Sequence, residues 1–258
     1  MLKIHPTAIV SPKAELDDDV VIGPYCIVGD KVKIGKATAL KSHVVVDGNT
    51  EIGSGCIIYQ FASLGTPPQD FKYKGTDTLL KIGNNNIIRE YVTMNPGTEH
   101  GGGITLIGDN NFFMIGCHVA HDSIIGNNVI MANSVSLGGH VVIEDYAILG
   151  GLSAIHQFVR IGAYSMIGGL SGVSQDIPPY TIAAGNRAKL FGINVIGLRR
   201  HNFKEETINY IKKAFKIIFR EKLLLEEALQ KVESEIPYVP EVKHMVEFIR
   251  KSKRGVTR

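Results

Sequence analysis

From Ile4 onward an aliphatic residue returns at every sixth position, through Val10, Leu16 and Ile22 to Leu64. GTPPQDFKYKGTDTLLK breaks the series, which resumes in phase at Ile82, Ile88 and Met94. NPGTEHGGGITL breaks it again with a shift of one, and it then runs from Ile107 to Val173. A period of six matches neither the roughly 3.6 of a helix nor the 2 of simple strand alternation, and Gly, Asp and Asn gather just after the anchors, as in IGPYCI, IGDNNF and IGNNVI. The pattern predicts a parallel β-helix. Each hexad is a short strand and a corner, three hexads make one coil, the aliphatic anchors fill the interior, and successive coils hydrogen-bond about 4.8 Å apart.

The fifth place of the hexad is small at Ala8, Thr38, Ala62 and Ala147, and it also holds Cys26, Cys56 and Cys117, the only cysteines. Packing accounts for them better than a disulfide or a metal does. The hexads stop after Pro178-Pro179. From about residue 202, NFKEETINYIKKAFKIIFREKLLLEEALQKVESE has helical spacing, with Asn202 as a candidate cap and Ile208, Ile211, Phe215, Ile218 and Phe219 as an apolar stripe. The expected class is all-β plus small α. Residues 1–185 form the coil stack with inserted loops near 65–81 and 95–106, and residues 186–258 form a connector and a C-terminal helical domain. That domain covers the end of the stack, which would otherwise expose unpaired backbone groups. The basic stretch KSKRGVTR reads as a solvated end.

Composition narrows the function. No apolar run approaches the roughly 18 residues of a membrane span, and the opening MLKIHPTAIVSPKAELDDD is interrupted by His, Pro and acids, so a cytoplasmic protein is expected. A formal charge of +3, no Trp and no aromatic stacking pattern argue against nucleic acid as a partner.

The stretch GCHVAHDSIIGNN sets His118, His121 and Asp122 among small and aliphatic residues. Counting hexads from Ile107 puts His121, His140 and His156 in the third, sixth and ninth, hence on one vertical edge, with His118 ending the strand before it. One coil above His121 stands Gly139, and one above that Gln157. Two chemistries fit four histidines on an edge. They could bind zinc through neutral imidazole. Alternatively, one is a general base oriented by Asp122, with Gly139 presenting an unshielded backbone N–H to a developing oxyanion.

The segments PPQDFKYKG, NPGTEHGGG, HVAHDSIIGNN, LGGHVVIEDYAILGG, AIHQFVRIGA, SGVSQDIPPY and GNRAKLFGINVIGLRR together resemble the bacterial UDP-N-acetylglucosamine 3-O-acyltransferases that begin lipid A synthesis, and the resemblance runs nearly end to end. It implies a left-handed parallel β-helix assembled as a homotrimer with active sites between subunits. It also implies a reaction that moves an (R)-3-hydroxyacyl chain from acyl carrier protein to the 3-hydroxyl of UDP-N-acetylglucosamine without cofactor or metal. Carried over by position, His121 is the base, Asp122 holds its ring and the Gly139 N–H binds the oxyanion. His118, His140, His156 and Gln157 line the cleft. Asp70 and Lys72 meet the amino sugar, Asn194 and Arg200 the nucleotide, and Gly169 leaves the acyl groove open to a long chain. Arg199, Arg200, Lys204, Lys212, Lys213 and Lys216 form a basic surface for the acidic carrier protein. Two other readings stand beside this one: a γ-type carbonic anhydrase with zinc held by histidines at a subunit interface, and a non-catalytic β-helical scaffold, which would need neither inserted loops nor a histidine edge.

Overall fold

A computed structural model describes all 258 residues. The chain winds into a left-handed parallel β-helix with three flat faces. The first face has eleven strands, from Lys3–Ile4 to Lys189–Ile193. The second has nine, from Ile9–Val10 to Gly172–Val173, and the third eight, from Glu15–Leu16 to Arg160–Ile161. Most strands have only two residues, the outer one facing away from the axis and the inner one filling it. Along the first face Ile22, Leu40, Ile58, Ile88, Phe113, Met131, Leu149 and Ile167 stack in register and are buried. Cys26, Cys56 and Cys117 are buried in the same core.

Corners take the left-handed backbone that L-residues avoid. Eighteen non-glycine residues between Asp19 and Tyr180 have φ near +60°, from Asn110 to Leu170 at six-residue spacing apart from Gly116, which takes the same conformation. Each costs roughly 1 kcal/mol, which the large apolar side chain buried after most corners offsets at roughly 1.5–3 kcal/mol.

Leu40 pairs with Ile58, eighteen residues on, but Ile58 pairs with Ile88, thirty on, and Ile88 with Phe113, twenty-five on. The surplus leaves the stack in two excursions. One departs after Ser63–Leu64 and rejoins at Leu79–Ile82, the other departs after Thr93–Met94 and rejoins at Ile104–Ile107. Both run from the second face to the third, so both project from one edge.

On both sides of Pro178-Pro179 the stack continues where the hexad pattern does not. Ile161 bridges to Ile177, and Thr181–Ala184 extends the first face before Lys189–Ile193 folds back antiparallel to it. Four helices follow: α1 (Val195–Arg200), α2 (Glu205–Arg220), α3 (Leu225–Glu235) and α4 (Pro240–Arg250). None is long and apolar enough to cross a membrane. Ile208, Ile211, Phe215 and Ile218 of α2 are buried as the stripe requires, and Phe215 joins the core of the coils. Asn202 does not cap α2. It takes φ +59° in the turn after α1, and Lys204 stands at the N-cap. The helical stretch is also two helices, because Lys222 turns left-handed between them. The basic end is not solvated as its charge suggests. Val256 and Thr257 are buried, and Asp176 accepts from the Thr257 N–H and the Ser252 hydroxyl while donating its own N–H to Gly255.

Candidate active site

The edge between the second and third faces carries His121, Gly139 and Gln157 one above the other, with Asp122, His140 and Phe158 beside them at φ +58°, +61° and +64°. Left-handed backbone there turns Asp122 back under the corner, where its side chain is 1% exposed. A buried carboxylate needs partners. Asp122 has three donors: His121 Nδ1 at 2.8 Å and the Thr98 hydroxyl at 2.7 Å on Oδ2, and the Thr98 N–H at 3.0 Å on Oδ1. Its own N–H donates to Thr105 Oγ1. Burial works against its charge, but the Thr98 hydroxyl and N–H, together with His121, outweigh that and hold the carboxyl below its ordinary range.

An ionised Asp122 on Nδ1 fixes the His121 tautomer with its proton on Nδ1 and leaves Nε2 free to accept one. Against this side of the ring lies Gly139. A Cβ added there would meet His121 Cε1 and Nε2 at 2.6 and 2.7 Å, so only glycine fits. Gly139 is buried, and its N–H, like those of its stack neighbours His121 and Gln157, is donated to no acceptor in the chain. Of the three, Gly139 alone has no side chain to screen that N–H. Free base nitrogen and free backbone donor therefore stand side by side.

His140 packs edge-on to His121 at 5.3 Å between ring centres and stacks on Phe158 at 4.4 Å. Burial pushes its pKa down, with Asp122 pulling the other way. His118 is pushed down by burial and by its neighbour His121, and its Nδ1 shares a 2.7 Å hydrogen bond with Thr93 Oγ1. Burial thus disfavours the charged form of both rings. His156 and Gln157 are exposed at the top of the edge, the His156 ring turned onto the Gln157 carbonyl. Ligand atoms of His121, Asp122 and His140 lie within 4.8 Å of one another, a spacing that could hold a metal ion. Both Asp122 oxygens are already taken by hydrogen bonds, which an ion would have to displace.

The first excursion brings Asp70 and Lys72 to the same edge. Asp70 accepts the Lys72 N–H at 2.9 Å and pairs with His100 Nε2 at 3.0 Å, and the Lys72 N–H in the first place, with His100 adding to it, holds its carboxyl below the ordinary value. The second excursion supplies Thr98 and His100, which the motif reading passed over. A signal existed: Met94 pairs with Val119, so the insertion that follows Met94 leaves the stack directly beneath His121.

The remaining candidates lie on other edges. Gly169 is exposed above Gly151 between the first and second faces, and a Cβ there would meet the Gly151 backbone, its carbonyl oxygen at 3.2 Å and its nitrogen at 3.9 Å. Asn194 caps α1 beside the edge between the third and first faces. Its side-chain oxygen accepts the Gly197 N–H and its NH₂ donates to the Tyr164 carbonyl, while Arg200 is exposed at the end of α1. Arg199 and Lys213 of the basic surface are paired with Glu205 and Glu235.

A family model described as UDP N-acetylglucosamine O-acyltransferase, domain 2, matches residues 176–257, and one for six bacterial transferase hexapeptide repeats matches residues 104–139. The chain is 60% identical, over the whole of both sequences, to the acyl-[acyl-carrier-protein]–UDP-N-acetylglucosamine O-acyltransferase of Thermodesulfovibrio yellowstonii. It superposes on LpxA from Acinetobacter baumannii with a TM-score of 0.97 at 48% identity, covering 99% of each chain. With the Bacteroides fragilis LpxA, a UDP-N-acetylglucosamine acyltransferase, the TM-score is 0.97 at 42% identity, covering 99% of this chain and 100% of the other. End-to-end identity at this level, on the same coil stack and with the same second domain, makes the chain a member of the UDP-N-acetylglucosamine O-acyltransferase family.

Proposed function

We propose that the protein transfers an (R)-3-hydroxyacyl chain from the thioester of acyl carrier protein to the 3-hydroxyl of UDP-N-acetylglucosamine. The observation that carries this reading is the Asp122–His121 pair with the undonated N–H of Gly139 beside it. His121 Nε2 takes the proton of the sugar hydroxyl as its oxygen attacks the thioester carbon. The Gly139 N–H accommodates the oxyanion of the tetrahedral intermediate. Collapse breaks the C–S bond, and the imidazolium returns its proton to the leaving thiolate. Asp122 keeps the imidazolium charge balanced throughout. Asp70 and Lys72 meet the amino sugar, and His118, His140, His156 and Gln157 bind the rest of the substrates.

The working unit is a homotrimer. Gly169, the base and Asn194 with Arg200 sit on three different edges of one protomer, and only neighbouring copies can bring edges together. The outer side of the first face, which starts at Lys3, is apolar from Val21 on, at Val21, Ala39, Ile57, Ile87, Phe112, Ile130, Ile148 and Met166, whereas the third face begins with a ladder of Glu15, Lys33, Glu51 and Lys81. A continuous apolar strip of that kind marks an interface. Light scattering is expected to give three chains per particle; an active monomer would overturn this.

One assay tests the reaction and the groove together. Purified protein is given a panel of 3-hydroxyacyl carrier proteins with UDP-N-acetylglucosamine or its 3-amino analogue, and products are weighed by mass spectrometry. Wild type is expected to add one 3-hydroxyacyl group to the 3-hydroxyl, long chains being favoured because each buried methylene contributes about 0.8 kcal/mol. Gly169→Met, whose Cβ requires the Gly151 carbonyl to give by only a few tenths of an ångström, is expected to lose the long donors and keep the short ones. Equal loss at every length would sink the groove assignment. No acyl product from any donor, with chelator-sensitive hydration of carbon dioxide instead, would favour the zinc reading.

A further inference from the structure

The geometry points to Thr98 as a positioning residue for the base: its hydroxyl and His121 Nδ1 share one oxygen of Asp122, and that sharing sets how strongly Asp122 holds the imidazole. This inference rests on the reading of His121 as base. Thr98 is fully buried. Its hydroxyl lies 2.7 Å from Asp122 Oδ2, the atom that His121 Nδ1 approaches at 2.8 Å, while its N–H reaches Oδ1 at 3.0 Å. A turn centred on its carbonyl holds it there, because the Thr98 carbonyl accepts the N–H groups of both Gly101 and Gly103. Gly101 closes over the same carboxylate so tightly that a Cβ on it would fall on Asp122. The excursion from the repeat is therefore folded around one carboxylate.

The neighbours of Thr98 reach the other way. Glu99 accepts the Lys74 N–H at 3.1 Å and the Thr76 hydroxyl at 2.9 Å, and His100 pairs with Asp70. Three consecutive residues thus join the loop carrying Asp70 and Lys72 to the acid that orients the base.

The sign of the effect follows from the shared oxygen. The hydroxyl stabilises the carboxylate most when its charge is not neutralised by an imidazolium, so it favours neutral His121. Removing it leaves Oδ2 to His121 alone, tightens the ion pair and raises the pH at which the base becomes protonated. Thr98→Val keeps the shape and the backbone donor but loses the hydroxyl, and Thr98→Ser keeps the hydroxyl. Thr98→Val is expected to lower kcat about tenfold, to leave KM for the sugar nucleotide within about twofold, and to move the acid limb of the kcat profile upward by about half a pH unit or more. Thr98→Ser is expected to restore both rate and limb. Should the valine variant not fold, Thr98→Ala makes the same comparison.

An unmoved acid limb in the hydroxyl-less variant, whatever its loss of rate or thermal stability, would overturn the assignment. So would Thr98→Ser behaving like Thr98→Val. His121→Ala run alongside separates the two levels of failure. If it is inactive while Thr98→Val leaves the limb unmoved, only the role of Thr98 falls; if it remains active, the base assignment falls with it.

Discussion

Replacing His121 by alanine is expected to lower turnover by at least about 10²-fold, the usual cost of losing a general base. The fold should survive. Asp122 keeps both donors from Thr98, so the lost hydrogen bond costs roughly 1 kcal/mol of stability and the thermal transition moves only slightly. With no imidazole at position 121 to titrate, whatever activity remains is also expected to lack the acid limb expected of wild type. Steady-state kinetics across pH 5 to about 9, with thermal unfolding on the same preparations, measure all three. A variant that turns over near the wild-type rate at neutral pH would remove His121 from the mechanism.

The second large effect is expected from a single methyl group. Gly139 does not need glycine for its backbone angles, since it lies outside the left-handed region that the neighbouring His140 occupies. It needs glycine for space: an alanine Cβ would stand 2.6 Å from the His121 ring, so either the imidazole or the Gly139 N–H must move. A displacement of about 1 Å between reacting groups costs on the order of 10²-fold, so Gly139→Ala is expected to fall at least that far in kcat. Gly192→Ala, in the last strand and away from the site, serves as the control, because its Cβ meets nothing within 4 Å. Near-normal turnover by Gly139→Ala would mean that the corner flexes freely, and would end the case for its N–H as the oxyanion donor.

Much of this was legible before any coordinates because the fold converts sequence spacing into position. Adding eighteen to His121 gives Gly139, and the two do stand one coil apart, with His140 at 5.3 Å from His121. The same arithmetic reaches neither Thr98 nor His100. They lie in segments that have left the repeat, and their partners are chosen by loop geometry that no period encodes. Asn202 failed as a cap for a related reason: the preference of asparagine for helix starts is shared with its tolerance of φ near +60°, and here the turn after α1 used the second. The burial of Val256 and Thr257 was hidden because local charge says nothing about a distant acceptor such as Asp176. Handedness is equally silent in spacing, since a six-residue period fits a coil of either sense.

A stack whose coils touch only their neighbours is close to a one-dimensional array, and height along its axis becomes the measure of coupling. Thr98 and Asp122 are 24 residues apart in the chain yet in contact, whereas Ile22 lies four coils below Phe113, about 20 Å along the axis. Substitutions at the height of Ile22 should therefore weaken the array without changing how His121 meets Gly139, and their free energies should add to those of the site within about 0.5 kcal/mol. Stability and turnover are separable variables in this molecule, and the coil number of a residue says which one a mutation there will change.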